Sequence, residues 1–273
     1  MTTDHIEYWV SSFLPRIRDY LGLDDSDRVL LKRYAEIGSR NTLDQEQVFN
    51  SIVHLVPKKN KGSLVFGAAE NLVSQVRIIQ DFQEPSLADT VLISADGATR
   101  LLLKKGLVPD IMFTDLDCGL DLVETAINEE IWVFILLHPD NVALFDEFLE
   151  MSMDGKVVFC TQDTPIHGFV NTFGFTDGDR ATSFSVLSGL KTLTVGFDLD
   201  GLPGFYSVQS KKVNLDYVVM KHKKLTVAKE VLSYLANQGM LYTFDEKLAP
   251  GIELEGGNSE AKLAYFFSLI DST

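Results

Sequence analysis

The sequence predicts an α/β fold: a doubly wound, mostly parallel sheet flanked by helices, with a small helical unit at the N-terminus. Short runs rich in Val, Ile, Leu and Phe recur after residue 61, and most do not alternate apolar with polar residues. Such runs are typical of strands that are covered on both faces. Helical stretches separate the runs, and repeated strand–helix units indicate a parallel sheet.

The N-terminal residues predict helices. Apolar residues recur at helical spacing, first at Val29, Leu30 and Tyr34 and later at Val48 and Ile52. A proline and a lysine-rich tract over residues 57–61 end this pattern. We therefore predict a helical unit over residues 1–60, a polar linker at its end, and an α/β domain over residues 61–273.

Strands and helices are predicted to alternate along the α/β domain. The predicted strands are Ser63–Phe66, Thr90–Ser94, Asp110–Thr114, Ile131–Leu137, Lys156–Cys160 and Thr192–Gly196. The predicted helices are Ala69–Asp81, Gly97–Lys105, Leu120–Asn128, Val142–Met151, Asp179–Ser188, Thr226–Gln238 and Ala261–Ile270. Ligands of open parallel sheets bind beyond the carboxyl ends of the strands, so the turns that follow the strands are the candidate functional segments.

The chain is acidic. Its 273 residues include 24 Lys and Arg against 39 Asp and Glu, which gives a formal net charge of −15. A nucleic-acid-binding protein needs a concentrated basic surface, so this balance argues against nucleic acid as a partner. We also expect no membrane partner and a cytoplasmic location, because no apolar run approaches the roughly 20 residues of a membrane span and no secretory signal is recognised.

Aspartates follow several of the predicted strands. Asp96 follows the second strand, Asp115 and Asp117 follow the third, and Asp140 follows the fourth. The carboxyl ends of parallel strands meet at one edge of a sheet, so we expect these carboxylates to converge. Neighbouring carboxylates repel each other unless a cation lies between them, and a hard divalent ion prefers oxygen ligands. The pattern predicts a Mg²⁺-dependent phosphate site, with helix caps and solvated loops as the alternative.

Two glycine-containing segments are candidates for phosphate contact. Gly67 and Ala68 form a small-residue turn before a helix, whose free N–H groups can face a phosphate; an ordinary strand–helix turn is the alternative. The segment Thr176–Arg180 carries two carboxylates, a glycine and an arginine at a helix start. The planar fork of Arg180 can bind phosphate oxygens, or it can pair with a neighbouring aspartate.

Other chemistries find less support. The aspartate-rich stretches that begin at Asp115 and Asp198 lack the Gly and Glu of a calcium-binding loop. No Gly-x-Ser-x-Gly elbow is present, and Cys118 and Cys160 have the spacing of neither a zinc site nor a disulfide framework. His138 and His167 remain candidates for acid–base chemistry or substrate contact, with a structural hydrogen bond as the alternative.

Several motifs resemble those of known pyrophosphokinases. The runs Ala95–Ala98, Gly106–Ile111 and Thr114–Asp117 resemble the catalytic segment of thiamine pyrophosphokinase-like enzymes. Other segments are more similar to the archaeal 6-hydroxymethyl-7,8-dihydropterin pyrophosphokinase family: Asn171–Ala181, Gly196–Asp198, Gly204–Ser207 and Lys223–Leu225. The most specific of them is Phe175–Ala181, and the resemblance extends from about residue 61 to residue 235.

The resemblance implies a catalytic α/β domain that transfers diphosphate from ATP to the hydroxymethyl group of a reduced pterin, with Mg²⁺ required and AMP released, in folate- or methanopterin-type cofactor synthesis. It implies that Asp96, Asp115, Asp117 and Asp140 bind Mg²⁺, and that the last three take part in catalysis, with Asp140 a candidate proton acceptor. The residues implied for nucleotide contact are Gly67, Ala68, Asp96, Gly97, Asn141, Thr176, Asp177, Gly178, Asp179 and Arg180. Related enzymes also suggest a homodimer.

Two alternative functions remain open at the level of sequence. Thiamine is an alternative acceptor, because the shape of the pocket decides the acceptor and the residues alone do not reveal it. A nucleotide-binding module without catalysis is the second, because Ala69-Glu70-Asn71 stands where similar proteins have a glycine-rich loop with Pro-Ser.

Overall fold

The computed structural model describes residues 2–35, 44–50, 62–82, 85–151, 156–201, 204–208 and 214–271. These residues form an eight-stranded sheet whose strands all pair in parallel, in the order β5-β4-β3-β2-β1-β6-β7-β8. The strands are β1 (Gly62–Phe66), β2 (Thr90–Ala95), β3 (Ile111–Thr114), β4 (Trp132–Leu136), β5 (Val157–Cys160), β6 (Lys191–Val195), β7 (Leu241–Thr243) and β8 (Ile252–Glu253). The predicted fold class is confirmed.

Helices precede the sheet and connect its strands. The N-terminal helices are α1 (Thr2–Tyr8), α2 (Leu14–Leu21), α3 (Ser26–Tyr34) and α4 (Gln45–Asn50), with a π-helical segment, Trp9–Phe13, between α1 and α2. The later helices are α5 (Leu72–Asp81), α6 (Ala98–Lys104), α7 (Leu120–Asn128), α8 (Val142–Glu150), α9 (Asp177–Leu187), α10 (Phe205–Val208), α11 (Leu215–Ala236) and α12 (Ser259–Asp271). Short 3₁₀ segments lie at Pro85–Asp89 and Pro139–Asn141.

The sheet is covered on both faces. On one face α1, α2, α4, α9 and α11 pack against strand residues such as Val65, Ile93 and Phe113. On the other face α5 to α8 and α12 pack against the alternate residues, for example Leu92 and Met112. Successive side chains of a strand point to opposite faces, so both sets must be apolar. This arrangement explains why the strands do not alternate apolar with polar residues.

The chain order reverses between β1 and β6. β1 pairs with β2 on one side and with β6 on the other, and Gly67 and Gly196 follow these two central strands directly. Gly196 has a φ of 70°, and a Cβ atom there would lie 2.6 Å from the carbonyl oxygen of Gly67. The two turns therefore pack backbone against backbone, which only glycine permits at Gly196. Ligands of doubly wound sheets bind in the crevice at such a reversal.

The N-terminal helices pack directly on the α/β part. The rings of Trp9 and Phe13 stack with their centroids 5.4 Å apart, and both rings contact Phe173. Trp9 Nε1 also donates a hydrogen bond of 2.8 Å to the carbonyl oxygen of Gln162. The division into residues 1–60 and 61–273 stays a prediction, because the proposed linker at residues 57–61 lies outside the described residues, as does Ile52.

The structure contains elements that the sequence pattern did not reveal. β7 and β8 have three and two residues, and α11 begins at Leu215 rather than at Thr226. The first half of α11 has no continuous buried stripe, since Leu215 and Val219 are exposed. Hydrophobic periodicity therefore gave no signal for it.

Replacing Gly97 by alanine is expected to destabilise the protein. A Cβ atom at Gly97 would lie 2.0 Å from the carbonyl oxygen of Tyr206, so α10 would have to shift. Overpacking of this kind costs about 1–3 kcal/mol, which urea denaturation would detect as a lower free energy of unfolding. Gly257→Ala is the control, because a Cβ atom there meets nothing within 4 Å. Equal stability of the two variants would contradict the close approach of α10.

Candidate active site

A cavity of about 580 Å³ opens at the carboxyl ends of the central strands. Its walls come from the turns after β1, β2, β3, β4 and β6, from the segment before α9, from α11, and from the connection between α2 and α3. This size is within the range of small-molecule sites. The cavity thus lies where the sheet order predicts a ligand.

Three carboxylates meet in this cavity. One oxygen from each of Asp96, Asp115 and Asp117 lies within 4.8 Å of the other two. Asp96 follows β2 with a φ of 47°, and the buried Leu116 between the other two aspartates has a φ of 72°. Such backbone conformations cost of order 1–3 kcal/mol in a residue other than glycine, and they cluster at functional sites. The predicted convergence of these three aspartates is therefore present in the structure.

Local hydrogen bonds position the carboxylates of Asp96 and Asp115. Thr114 Oγ1 donates to Asp96 Oδ1 at 2.9 Å and accepts from the Leu116 backbone N–H at 2.8 Å. The Asp117 N–H donates to Asp115 Oδ1 at 3.2 Å. A single threonine at the end of β3 thus connects the aspartate after β2 with the turn after β3.

The electrostatics of this cluster favour a cation. Burial raises the pKa of Asp96 well above its ordinary value, and the neighbouring charges of Asp117, Asp177 and Asp115 raise it further. A divalent cation between these groups would relieve the repulsion. The donor atoms are carboxylate oxygens, which suit Mg²⁺. The residues present therefore fit the predicted metal.

Asp140 lies apart from this cluster. Its side chain is 85% exposed at the cavity mouth, with Oδ2 3.9 Å from His138 Nδ1. His138 Nδ1 accepts the backbone N–H of Asp140, so the neutral ring carries its proton on Nε2, which lies 3.5 Å from Asp115 Oδ2. In the structure His138 contacts the cluster and Asp140 does not, and the assignment of Asp140 as a metal ligand stays a prediction.

Asn141 and Gly97 have structural roles. The buried Asn141 amide donates to the carbonyl oxygens of Asp115 and Leu136, and its Oδ1 accepts from the His138 N–H. These bonds clamp the turn after β3 to the turn after β4. Gly97 packs against Tyr206 and does not line the cavity. Asn141 and Gly97 thus support the neighbouring turns, and their predicted nucleotide contacts stay predictions.

The start of α9 combines a helix cap with a buried arginine. Asp179 accepts hydrogen bonds from the backbone N–H groups of Phe175 and Thr176 and from the Thr176 hydroxyl, so its carboxylate serves the cap. Arg180 is only 2% exposed and pairs with Asp177 through Nη2. Its Nε and Nη1 have no hydrogen-bond partner within the described residues. A buried guanidinium with open donors at a cavity wall suits a phosphate group.

The turn after β1 is tightly bonded to its neighbours. The N–H groups of Gly67 and Ala69 donate to the carbonyl oxygens of Val195 and Gly196, at 2.8 and 2.9 Å. These two groups are therefore not available to a phosphate, although Gly67 and Ala68 do line the cavity. The turn is thus a strand–helix connection that lines the cavity, and the phosphate contact of Gly67 and Ala68 stays a prediction.

Neither cysteine is suited to nucleophilic chemistry. Burial raises the pKa of Cys160 to about 12, and burial together with the charge of Asp96 raises the pKa of Cys118 well above its ordinary value. Thiols held in this way carry little thiolate at neutral pH.

Comparison with known proteins gives the family. Residues 40–202 match the family model described as 6-hydroxymethylpterin diphosphokinase MptE-like. The chain belongs to this family. The MptE-like chain is also 34% identical over 177 residues to the 6-hydroxymethyl-7,8-dihydropterin pyrophosphokinase of Pyrococcus furiosus, covering 64% of this chain and 72% of the relative. The relative of the same name from Methanothermobacter thermautotrophicus is 31% identical, with 64% and 74% covered. The predicted resemblance is confirmed.

A solved structure, that of the MAf glycosyltransferase from Magnetospirillum magneticum AMB-1, aligns with 89% of this MptE-like chain and 44% of its own, at 13% identity and a TM-score of 0.42. That likeness is too distant to inform the site. Within the described residues, no helix of the MptE-like chain combines the length and the apolar character that crossing a membrane requires.

Several residues that line the cavity were not predicted as site residues from the sequence. Lys221 and Lys224 reach the cavity from α11, Asp24 reaches it from the connection between α2 and α3, and Asp27 reaches it from the first turn of α3. Lys224 belongs to a segment that resembles the pterin family, whereas the other three carry no motif. Both N-terminal acids and α11 lie outside the residues that the MptE-like family model matches.

Proposed function

We propose that the protein transfers diphosphate from ATP to the hydroxymethyl group of 6-hydroxymethyl-7,8-dihydropterin and releases AMP, with Mg²⁺ held by Asp96, Asp115 and Asp117. The observation that carries this proposal is the cluster of three aspartates, within a cavity of suitable size, in a chain of the MptE-like family. A cytoplasmic location, a homodimer and a place in folate- or methanopterin-type cofactor synthesis stay predictions.

The proposed reaction is an in-line displacement at phosphorus. The hydroxymethyl oxygen of the pterin attacks the β-phosphorus of ATP, the bond from that phosphorus to the oxygen bridging the α-phosphate breaks, and AMP leaves with that oxygen. The hydroxyl proton passes to a carboxylate, for which Asp140 at the cavity mouth stays the candidate. Bound Mg²⁺ would neutralise the charge that develops on the transferred group.

The chain's own residues bind and orient the substrates. The crevice between the turns after β1 and β6 is the proposed nucleotide end, since ligands bind where the chain order of a doubly wound sheet reverses. Arg180 would donate its open Nε and Nη1 groups to phosphate oxygens, and Lys221 and Lys224 add positive charge to the same cavity. These cations offset the repulsion between ATP and a chain of net charge −15.

A single assay separates the candidate functions. Purified protein is incubated with Mg-ATP and either 6-hydroxymethyl-7,8-dihydropterin or thiamine, and the nucleotides are separated by chromatography. We expect AMP to form only with the pterin, and omission of the acceptor is the control. If AMP forms only with thiamine, thiamine is the acceptor instead of the pterin. If the protein binds ATP and no AMP forms with either compound, the protein is a nucleotide-binding module without catalysis. ADP as the product would contradict diphosphate transfer.

A further inference from the structure

The connection between α2 and α3, together with the last residue of α2 and the first turn of α3, forms one wall of the cavity. Leu21, Leu23, Asp24, Ser26 and Asp27 all line it. The family model matches residues 40–202, so the residues of this wall lie outside the matched part of the chain. Residues of α2 and α3 therefore form part of the site and are placed to contact a ligand in the cavity.

A buried ion-pair network fixes this wall to the α/β part. Arg18 Nη2 lies 3.0 Å from both Asp27 Oδ2 and Asp163 Oδ2, and Arg28 Nε lies 3.0 Å from the same Asp163 oxygen. Asp163 is fully buried in the loop that follows β5. Charged groups tied together by hydrogen bonds in a buried setting hold their geometry. Asp27 is thus presented to the cavity by a rigid support.

The position of Asp27 sets it apart from the nucleotide end. Along the sheet, the turns after β1 and β6 bound one end of the cavity, the three aspartates follow β2 and β3, and His138 follows β4. Asp27 is joined through Arg18 to Asp163, which follows β5, and α3 contacts the 3₁₀ segment after β4, so Asp27 lies on the β4 side of the cluster. Adjacent strands are about 4.8 Å apart, so β1 and β4 are separated by roughly 14 Å. That span accommodates two ligands side by side.

The part of the cavity near β4 and Asp27 suits a ligand that donates hydrogen bonds. Its side chains include the carboxylates of Asp24, Asp27 and Asp140, which repel phosphate groups. Asp27 is 13% exposed, and within the described residues Arg18 is its hydrogen-bond partner through Oδ2, which leaves Oδ1 open. A carboxylate binds two adjacent N–H groups on one edge of a ring well, and it cannot donate to a ring nitrogen that is an acceptor.

We infer that the connection between α2 and α3 forms the acceptor subsite, and that the Asp27 carboxylate binds the amino group and the adjacent ring N–H of the reduced pterin. This inference rests on the proposed function and names the residue that determines its acceptor. In the pyrimidine ring of thiamine, the ring nitrogen next to the amino group is an acceptor and carries no N–H. Asp27 therefore discriminates against thiamine. A site built for a hydrogen-bonding edge rejects an analogue that lacks that edge.

The test compares Asp27→Asn with Asp25→Asn. Both aspartates bind Arg18, but Asp25 is 70% exposed and does not line the cavity, which makes it a matched control. We expect Asp27→Asn to raise the KM for the pterin roughly 10- to 100-fold, the range for losing a hydrogen bond to a charged group, with the KM for ATP unchanged. Asp25→Asn should change neither, and Asp27→Glu should be intermediate.

The possible outcomes separate the inference from the function it rests on. If the wild type forms AMP with the pterin and Asp27→Asn keeps its pterin KM, or raises the KM for ATP instead, the inference is wrong and the function stands. If the wild type forms no AMP, the function fails, and titration of the pterin's own fluorescence then decides whether Asp27→Asn weakens pterin binding. Melting temperatures of the three variants show whether each one folds.

Discussion

The double variant Asp115→Asn/Asp117→Asn is expected to fold normally and to form no detectable AMP. Both side chains belong to the cluster that we propose holds Mg²⁺, and amide oxygens without negative charge bind a divalent cation weakly. Metal-ion stabilisation of the transferred group supplies several kcal/mol, so we expect a loss of at least about 10³-fold in the rate of AMP release. The measurement is a single-turnover assay with saturating ATP and acceptor.

Asp121→Asn is the matched control for this prediction. Asp121 lies just after the cluster in sequence, is exposed, pairs with Arg100 and does not line the cavity. Its variant should retain the wild-type rate. An active, folded double variant would refute the metal assignment, and loss of activity in Asp121→Asn as well would indicate a general disturbance of the turn.

Arg180→Lys is expected to lower kcat/KM by roughly 10- to 100-fold while the protein stays folded. Lysine preserves the charge beside Asp177 but cannot present the planar fork whose Nε and Nη1 are open in the structure. A hydrogen bond to a charged group contributes about 1.5–3 kcal/mol, which corresponds to this range. Steady-state kinetics with ATP as the varied substrate would measure the loss.

Arg100→Lys serves as the control for Arg180→Lys. Arg100 also pairs with an aspartate, but it lies outside the cavity. An Arg180→Lys variant with wild-type kinetics would show that the guanidinium does not reach the phosphates. The unpaired Nε and Nη1 groups of Arg180 would then lower the stability of the protein without contributing to catalysis.

The sequence predicted the centre of the fold better than its edge. β1 to β6 are buried runs of four to six residues bounded by turns, and each was predicted to within one or two residues of its bounds. β7 and β8 escaped prediction because they are short, and the first half of α11 did so because Leu215 and Val219 are exposed and form no buried stripe. Pairing of β7 with β6 and of β8 with β7, and packing of α11 against α2 and α9, define these elements rather than a local pattern.

The candidate site divides in the same way. Asp96, Asp115 and Asp117 could be predicted to meet because strand topology alone brings the ends of β2 and β3 together. Asp140 also follows a strand, but the 3₁₀ segment after β4 turns its side chain outward, and no sequence pattern announces that turn. Asp27 and Lys221 come from segments far away in sequence, so only the packed structure brings them to the cavity.

The proposed Mg²⁺ site is tested most directly by locating a divalent ion in the complex of the protein with a nucleotide. Crystals of the wild-type protein grown with Mn²⁺ and an unreactive ATP analogue would give an anomalous signal that locates the metal. We expect a peak ligated by Asp96, Asp115 and Asp117, with the nucleotide in the crevice between the turns after β1 and β6. A peak held by other residues, or a triphosphate bound away from this cluster, would contradict it.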